Sequence, residues 1–142
     1  MNAERSTLYI YDSDSQEIWA KVAEGMEGQN IIRLPIGKGI AGSVAQDLRT
    51  DVINDPYSDP RFNKEVDAKT GFRTRNMICM PVLGSDVELL GVIQVLNKKT
   101  GDFDYSDESF LSALAVQIGL TLEKNKYFCS LRPSCKEACA GL

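Results

Sequence analysis

The chain has 142 residues, 43% of them hydrophobic and 25% charged, and a net charge of −4, the profile of one globular domain. That acidity argues against a nucleic-acid partner or an anionic membrane surface, and no apolar run reaches the roughly 20 residues of a membrane-spanning helix. Histidine is absent, so Ser-His-Asp and Cys-His nucleophile activation are both unavailable and a metal centre is not expected.

Four cysteines are present, Cys79 in an apolar run and Cys129, Cys135 and Cys139 near the end, in no zinc-binding spacing. With no signal peptide at the start, they read as reduced thiols of a cytoplasmic protein.

The first elements are short and β-rich. Residues 6–12 alternate, with Leu8 and Ile10 on one face, and Asp12-Ser-Asp-Ser15 is turn chemistry. Residues 17–23 are the hairpin partner, a loop crosses 24–30, and Ile31-Ile-Arg-Leu34 is a third strand stopped by Pro35. The expected result is an antiparallel meander, with Trp19 packed on a strand. Gly37, Gly39 and Gly42 then spell G-x-G-x-x-G before a helix from Ile40 to about Leu48. A dinucleotide site would need a βαβ unit here, and a hairpin stands in its place. Two readings stay open: a glycine turn ahead of a packing helix, or a helix start whose free N–H groups take an anion.

Residues 51–53 are a short strand. Asp59 and Pro60 mark the start of an expected one- or two-turn helix reaching about Asp67 or Ala68. Residues 77–82 form a buried strand, and the polar excursion before it has the length of a lid or binding loop. The turn 84–88 leads into a second buried strand, 89–96. A helix from about Asp107 to Tyr127 carries apolar residues at 111, 114, 118 and 122. Arg132-Pro133 breaks it, so the expected domain is 1–128, with 129–142 a loose tail or linker.

The last strand and last helix are joined by Asn97-Lys-Lys-Thr-Gly-Asp-Phe-Asp-Tyr-Ser-Asp-Glu108. Gly101 suits the turn, and Asp104 or Ser106 suits the helix N-cap. A lysine leaving the strand can reach an aspartate in the first helical turn, so a structural ion pair between Lys98 and Asp107 is expected.

The pattern Asn97-Lys98, Phe103 and Asp107-Glu108 resembles the signature of cyclic-nucleotide-binding GAF domains. These are regulatory domains of cyclic-nucleotide phosphodiesterases and of some adenylyl cyclases. The resemblance runs from about Ser6 to Leu122. It also covers Gly39-Ile-Ala-Gly42, the stretch from Asn54-Asp-Pro to Arg61-Phe62, Val66-Asp-Ala-Lys-Thr-Gly-Phe-Arg-Thr-Arg-Asn76 and Cys79-Met-Pro81.

The resemblance implies an α+β fold, GAF-like and related to PAS domains. Its six-stranded antiparallel sheet would carry the terminal helices on one face and a ligand pocket under short helices on the other. The first of those terminal helices is expected to be missing from this chain. By the same resemblance, Ile40 and Ala41 would give backbone N–H bonds to a cyclic phosphate, and Thr74 would bond phosphate or ribose. Asn63 and Asp67 would lie near sugar and base, Ala23 and Glu24 around the purine, Thr7 would be a further base contact, and Gln94 would face the pocket. Thr7 and Gln94 also read as buried polar groups bonded to backbone, and Arg73 and Arg75 as solvated or paired with Asp67. Asn97, Lys98, Phe103, Asp107 and Glu108 would shape the pocket without touching the ligand.

The function implied is a non-enzymatic regulatory module. It would sense a cyclic purine nucleotide, cyclic AMP ahead of cyclic GMP because Ala23-Glu24 stands where cyclic-GMP binders commonly have Phe-Asp. Pocket closure would control an attached phosphodiesterase or cyclase, with a homodimer formed through terminal helices. No cofactor, nucleic acid or membrane insertion is expected. A non-binding dimerisation scaffold is the alternative. A methionine sulfoxide reductase would lack its nucleophile in a pocket, and a bilin carrier its Cys-His attachment.

Overall fold

The computed structural model describes residues 3–22, 30–62, 64, 71 and 73–131, with the backbone alone at 21–22, 30–32 and 125–131. Strands β1 (Ala3–Asp12), β2 (Glu17–Val22) and β3 (Asn30–Pro35) form the meander. Helix α1 (Gly39–Asp47), β4 (Asp51–Ile53) and a single 3-10 turn at Pro56–Ser58 follow. After them come β5 (Met77–Leu83), β6 (Leu89–Lys98) and the long helix α2 (Tyr105–Leu131). The strands make one six-stranded sheet in the order β3-β2-β1-β6-β5-β4, and every neighbouring pair is antiparallel.

The central pair, β1 with β6, joins the first strand to the last, from Ala3 opposite Lys98 to Ile10 opposite Gly91. Gly91 is demanded by that pairing. A Cβ there would lie 2.2 Å from the carbonyl oxygen of Tyr9.

Because side chains alternate along a strand, the continuous apolar run of β5 serves two cores at once. Met77 and Cys79 pack with Tyr9, Ile18, Val92 and the α1 residues Ile40, Ala41, Val44 and Ala45. Ile78, Met80 and Val82 pack on the other face with Ile93, Val95, Phe103 and the α2 residues Leu111 and Ala115. Helices α1 and α2 therefore cover opposite faces of one sheet. Ile78, Val82 and Val92 are wholly buried, and each such side chain contributes about 1.5–3 kcal/mol of burial free energy.

Several boundaries differ from the sequence reading. β1 begins at Ala3, three residues before the expected strand, because its partner β6 extends through Lys98 and supplies ladder bonds that far. Leu8 shares the α2 face with Ile93, yet is 37% exposed because α2 leaves it partly uncovered. Helix α2 starts at Tyr105 and passes Phe128 without interruption, so residues 129–131 are helical. It stops at Leu131, directly before Arg132-Pro133, where proline disfavours helical backbone in the preceding residue. At Pro60 no helix opens. Asp59 Oδ1 accepts the Arg61 N–H at 2.9 Å in a turn, and the first helical backbone there is at Lys64. The remainder of that expected helix lies outside the described residues.

Candidate functional site

Antiparallel register places Thr7 opposite Gln94, Gln94 opposite Cys79, and Cys79 opposite Asp51. Directly paired residues point to the same face of a sheet. Cys79 packs in the α1 core, so Thr7, Gln94 and Asp51 also face the α1 side. Two predicted contacts far apart in sequence thus become neighbours on the floor beneath α1.

The start of α1 stands over that face. Gly37 and Gly39 take φ of 88° and 71°, left-handed values that glycine adopts without a Cβ clash. A Cβ on Gly42 would lie 2.7 Å from the Pro35 carbonyl oxygen, so the third glycine lets the helix sit close on the end of β3. Backbone geometry accounts for all three glycines, which make a turn into a packed helix where no dinucleotide-binding βαβ unit stands. The helix N-terminus is also electrostatically open. Its N-cap, Lys38, makes no side-chain capping bond, and the first-turn N–H groups of a helix have no partner within the helix. Ile40 and Ala41 lie in this turn, 4% and 3% exposed, so their N–H groups are shielded from bulk water.

Thr74 is buried just before β5. Asn97 holds the chain on both sides of it: its Oδ1 accepts the Arg75 N–H at 2.6 Å, and its Nδ2 donates to the Arg73 carbonyl at 2.8 Å. The same Nδ2 donates to Glu4 at 2.8 Å. Asn76 reciprocates, accepting the Lys98 N–H at 2.9 Å and donating to the Gly101 carbonyl at 3.1 Å. These two asparagines, both buried, knit β1, the approach to β5, the end of β6 and the turn after it. Asn97 takes a φ of 57° to do so, a conformation asparagine tolerates better than most residues.

Lys98 donates to Asp107 Oδ2 at 2.6 Å, to the Asp102 carbonyl at 3.2 Å and to Asp104 Oδ2 at 3.5 Å. Asp104 is the N-cap of α2. It accepts the Asp107 N–H at 3.0 Å while Asp107 accepts the Asp104 N–H at 2.9 Å, a capping box with aspartate in the third helical position. The hydrogen bond to Asp107 raises the Lys98 pKa. Burial opposes ionisation of Asp107, but the bonds from Lys98 and Asp104 prevail and lower it.

Not every predicted residue joins this site. Phe103 packs in the α2 core, on the sheet face away from Thr7 and Gln94, because the connection turns under α2 before the helix begins. Glu108 takes part through its backbone N–H, donated to the Asp104 carbonyl at 3.1 Å. Ala23, Glu24, Asn63 and Asp67 lie outside the described residues.

Arg73 and Arg75 are both exposed, in keeping with the solvated reading, and Asp67 lies outside the described residues. Arg73 stacks its guanidinium 4.6 Å from the centre of the Tyr57 ring, and Arg75 pairs with Glu4 at 3.6 Å. Arg61, singled out by no sequence signal, pairs with Asp51 and Asp59 at 2.8 Å each and pins the 3-10 turn region to β4. Glu4 and Asn76 were likewise missed. A polar residue directly ahead of the apolar run of β5 was the available signal for Asn76.

Surface cavities are also formed elsewhere among the described residues. One, of about 230 Å³, is polar and lined by Ser43, Asp47, Arg49, Thr50, Asp51 and Arg61. Another, of about 320 Å³, lies between β1 and α2. Among the described residues no three His, Cys, Asp or Glu side chains are grouped to hold a metal, and no helix is long and apolar enough to cross a membrane. Burial pushes the Cys79 thiol pKa up, which suppresses the reactive thiolate.

The sequence model of the GAF domain matches residues 1–122. The chain belongs to the GAF domain family. It is 36% identical over 145 residues to "Probable 3',5'-cyclic phosphodiesterase pde-5" of Caenorhabditis elegans, covering 94% of this chain and 20% of that protein. It is 40% identical over 106 residues to "Dual 3',5'-cyclic-AMP and -GMP phosphodiesterase 11" of Drosophila melanogaster, covering 74% of this chain and 7% of that protein. This GAF domain therefore spans a fifth or less of the length of these relatives. Its fold matches the GAF domain of a Coxiella burnetii phosphoenolpyruvate-protein phosphotransferase at a TM-score of 0.75 and 20% identity, over 88% of this chain and 74% of that one. It also matches the free methionine-R-sulfoxide reductase of Neisseria meningitidis at 0.68 and 23% identity, over 86% and 68%. The α+β architecture is thus that of GAF domains, with the six-stranded antiparallel sheet expected from the sequence.

Proposed function

We propose that this GAF domain binds a cyclic purine nucleotide on the α1 face of its sheet and regulates a catalytic domain joined to it. The observation that carries the reading is the shielded, uncapped start of α1 on the face where Thr7 and Gln94 are cross-strand neighbours. A helix N-terminus favours a phosphate, and two side chains with both donor and acceptor groups suit a purine edge or a ribose. The names of both phosphodiesterase relatives point to 3',5'-cyclic nucleotides.

In this reading Ile40 and Ala41 bond the cyclic phosphate and Thr74, held by Asn97, bonds phosphate or ribose. Ala23, Glu24, Asn63 and Asp67 complete the surroundings of sugar and base. Cyclic AMP is preferred over cyclic GMP, on the strength of Ala23-Glu24. Closure of residues 54–75 over the ligand biases α2, and α2 passes the bias to a phosphodiesterase or cyclase domain in a cytoplasmic protein.

The test is thermal unfolding with no ligand, cyclic AMP, cyclic GMP and 5′-AMP. Ligand at about a hundred times its dissociation constant adds about 2.7 kcal/mol, or about 10 °C in Tm for a domain of this size. A rise with cyclic AMP alone is expected. An equal rise with cyclic GMP removes the base preference, and no rise with either sinks nucleotide sensing.

A second reading is a scaffold that pairs with another copy through terminal helices. It is favoured by Phe110, Val116 and Leu120 on α2, each more than half exposed. It predicts a dimer by light scattering with no response to any nucleotide.

A further inference from the structure

The tight turn between β5 and β6 is tied to α2 by one serine. Ser85 donates its backbone N–H to Glu123 Oε2 at 3.0 Å and its hydroxyl to Glu123 Oε1 at 2.5 Å. One helical turn earlier, Gly119 packs so closely on Leu83 that a Cβ would lie 2.6 Å from the Leu83 carbonyl oxygen. The helix is thus pressed onto the end of β5 at Gly119 and clipped to the turn at Glu123. Two further turns run on to Leu131.

Ser85 is also exposed at a hairpin tip, closed by the Gly84 N–H to Glu88 carbonyl bond of 2.9 Å. Asp86 follows it directly and Glu88 stands three residues on. No other described serine or threonine has acids at both positions, and residues 77–97 contain no lysine or arginine. We propose that Ser85 is a phosphorylation site for an acid-directed serine kinase, and that its phosphate releases the end of α2 from the sheet. The proposal does not depend on nucleotide binding.

The chemistry balances as an ordinary phosphoryl transfer. Ser85 Oγ attacks the γ-phosphorus of ATP, the bond to the β-phosphate oxygen breaks, ADP leaves, and the hydroxyl proton passes to the base of the kinase. The product carries about −1.5 to −2 charges and accepts hydrogen bonds without a hydroxyl to donate. It would stand against the Glu123 carboxylate with Asp86 and Glu88 beside it. Lys124 is adjacent in sequence, but about 100° further round the helix axis. The hydroxyl bond is therefore lost, and repulsion between phosphate and carboxylate opposes the remaining N–H bond at this clip.

The intact chain is incubated with an acid-directed serine kinase and MgATP, and sites are mapped by tandem mass spectrometry. Modification at Ser85 is expected. In parallel, phosphoserine is installed at position 85 during expression, and hydrogen exchange is followed across residues 119–131. Exchange should accelerate roughly tenfold there relative to the unmodified chain. In the Glu123→Lys background the sign should invert, because the phosphate then pairs with the new ammonium and slows exchange relative to unmodified Glu123→Lys. A kinase that leaves Ser85 unmodified would overturn the site. Unchanged exchange with phosphoserine in place, or no inversion with Glu123→Lys, would overturn the release.

Discussion

Lys98 Nζ and Asp107 Oδ2 stand 2.6 Å apart, and the same carboxylate oxygen accepts the Asp104 N–H at 2.9 Å. One oxygen atom therefore ties the end of β6 to the N-cap of α2. Both side chains are less than a fifth exposed, which orders the pair better than a surface ion pair of long, mobile side chains. Asp104→Ala removes the cap and should cost about 1 kcal/mol, or about 4 °C in Tm. Lys98→Met and Asp107→Asn should each lower Tm, and the double variant should lose less than the two losses added, as contacting residues do. Additive losses would show that the pair does not act as a unit.

The charged and buried groups set the pH range of stability. Asp107 is held low against burial by Lys98, Asp59 by the Arg61 guanidinium and Asp12 by the Ser15 hydroxyl. Each folded pKa lies below the unfolded value, so the stability is present above about pH 4 and lost as pH falls through the folded values. On the alkaline side, burial pushes Tyr9 up to about 12 from 10.0. Its contribution is present below pH 10 and lost as pH rises towards 12, and the raised Lys98 has the same sign. Tm measured from pH 3 to 12 should be flat in the middle and fall at both ends. Tyr9→Phe should flatten the alkaline fall, and Asp107→Asn the acid one.

Asn97 serves Arg73, Arg75 and Glu4 from one buried amide. Asn97→Ala strands a carbonyl and an N–H on either side of Thr74, at about 1–3 kcal/mol for each buried group left unsatisfied. Asn97→Asp keeps the acceptor but loses the donors and sets a carboxylate beside Glu4, so it should be the worse of the two at pH 7 and improve as pH falls towards 4. Urea unfolding at both pH values checks the order. If Asn97 also holds Thr74 for a ligand, Asn97→Gly should weaken nucleotide binding by more than its loss of stability alone explains.

Val87 carries a φ of 58° at the β5–β6 turn while 62% exposed. A β-branched residue there bears about 1–2 kcal/mol of left-handed strain and has little burial to lose. Val87→Asn should therefore raise Tm by a few degrees, and Val87→Gly by less, because glycine gives up more chain entropy on folding. A fall in Tm with both would show that the Val87 side chain packs in a way its exposure does not reveal.

Much of this molecule was legible in the chain itself. Alternation marked β1 and β2, continuous apolar runs marked β5 and β6, and the acids after Gly101 marked the start of α2 and its tie to Lys98. Those signals are local, since a strand period, an N-cap and an ion pair across a short connection all involve neighbours in sequence. Pro133 likewise marked the stop of α2, although the apolar repeat alone suggested an earlier end.

The other relationships come from register and packing. Nothing in sequence tells that Thr7 and Gln94 are opposite one another, that Phe103 serves the core beneath α2, or that Arg73 stacks on Tyr57. Those depend on which strand pairs with which, and a shift of one residue would turn every side chain to the other face. The types of the strands and of the last helix, and the Lys98–Asp107 lock, were determined by sequence alone through local periodicity and capping chemistry, while the lengths of β1 and α2 were not. The meeting of Thr7, Gln94 and the α1 N-terminus on one face, and of Ser85 with Glu123, was decided only by the folded structure, because strand pairing and the packing of helices on the sheet bring together residues far apart in sequence.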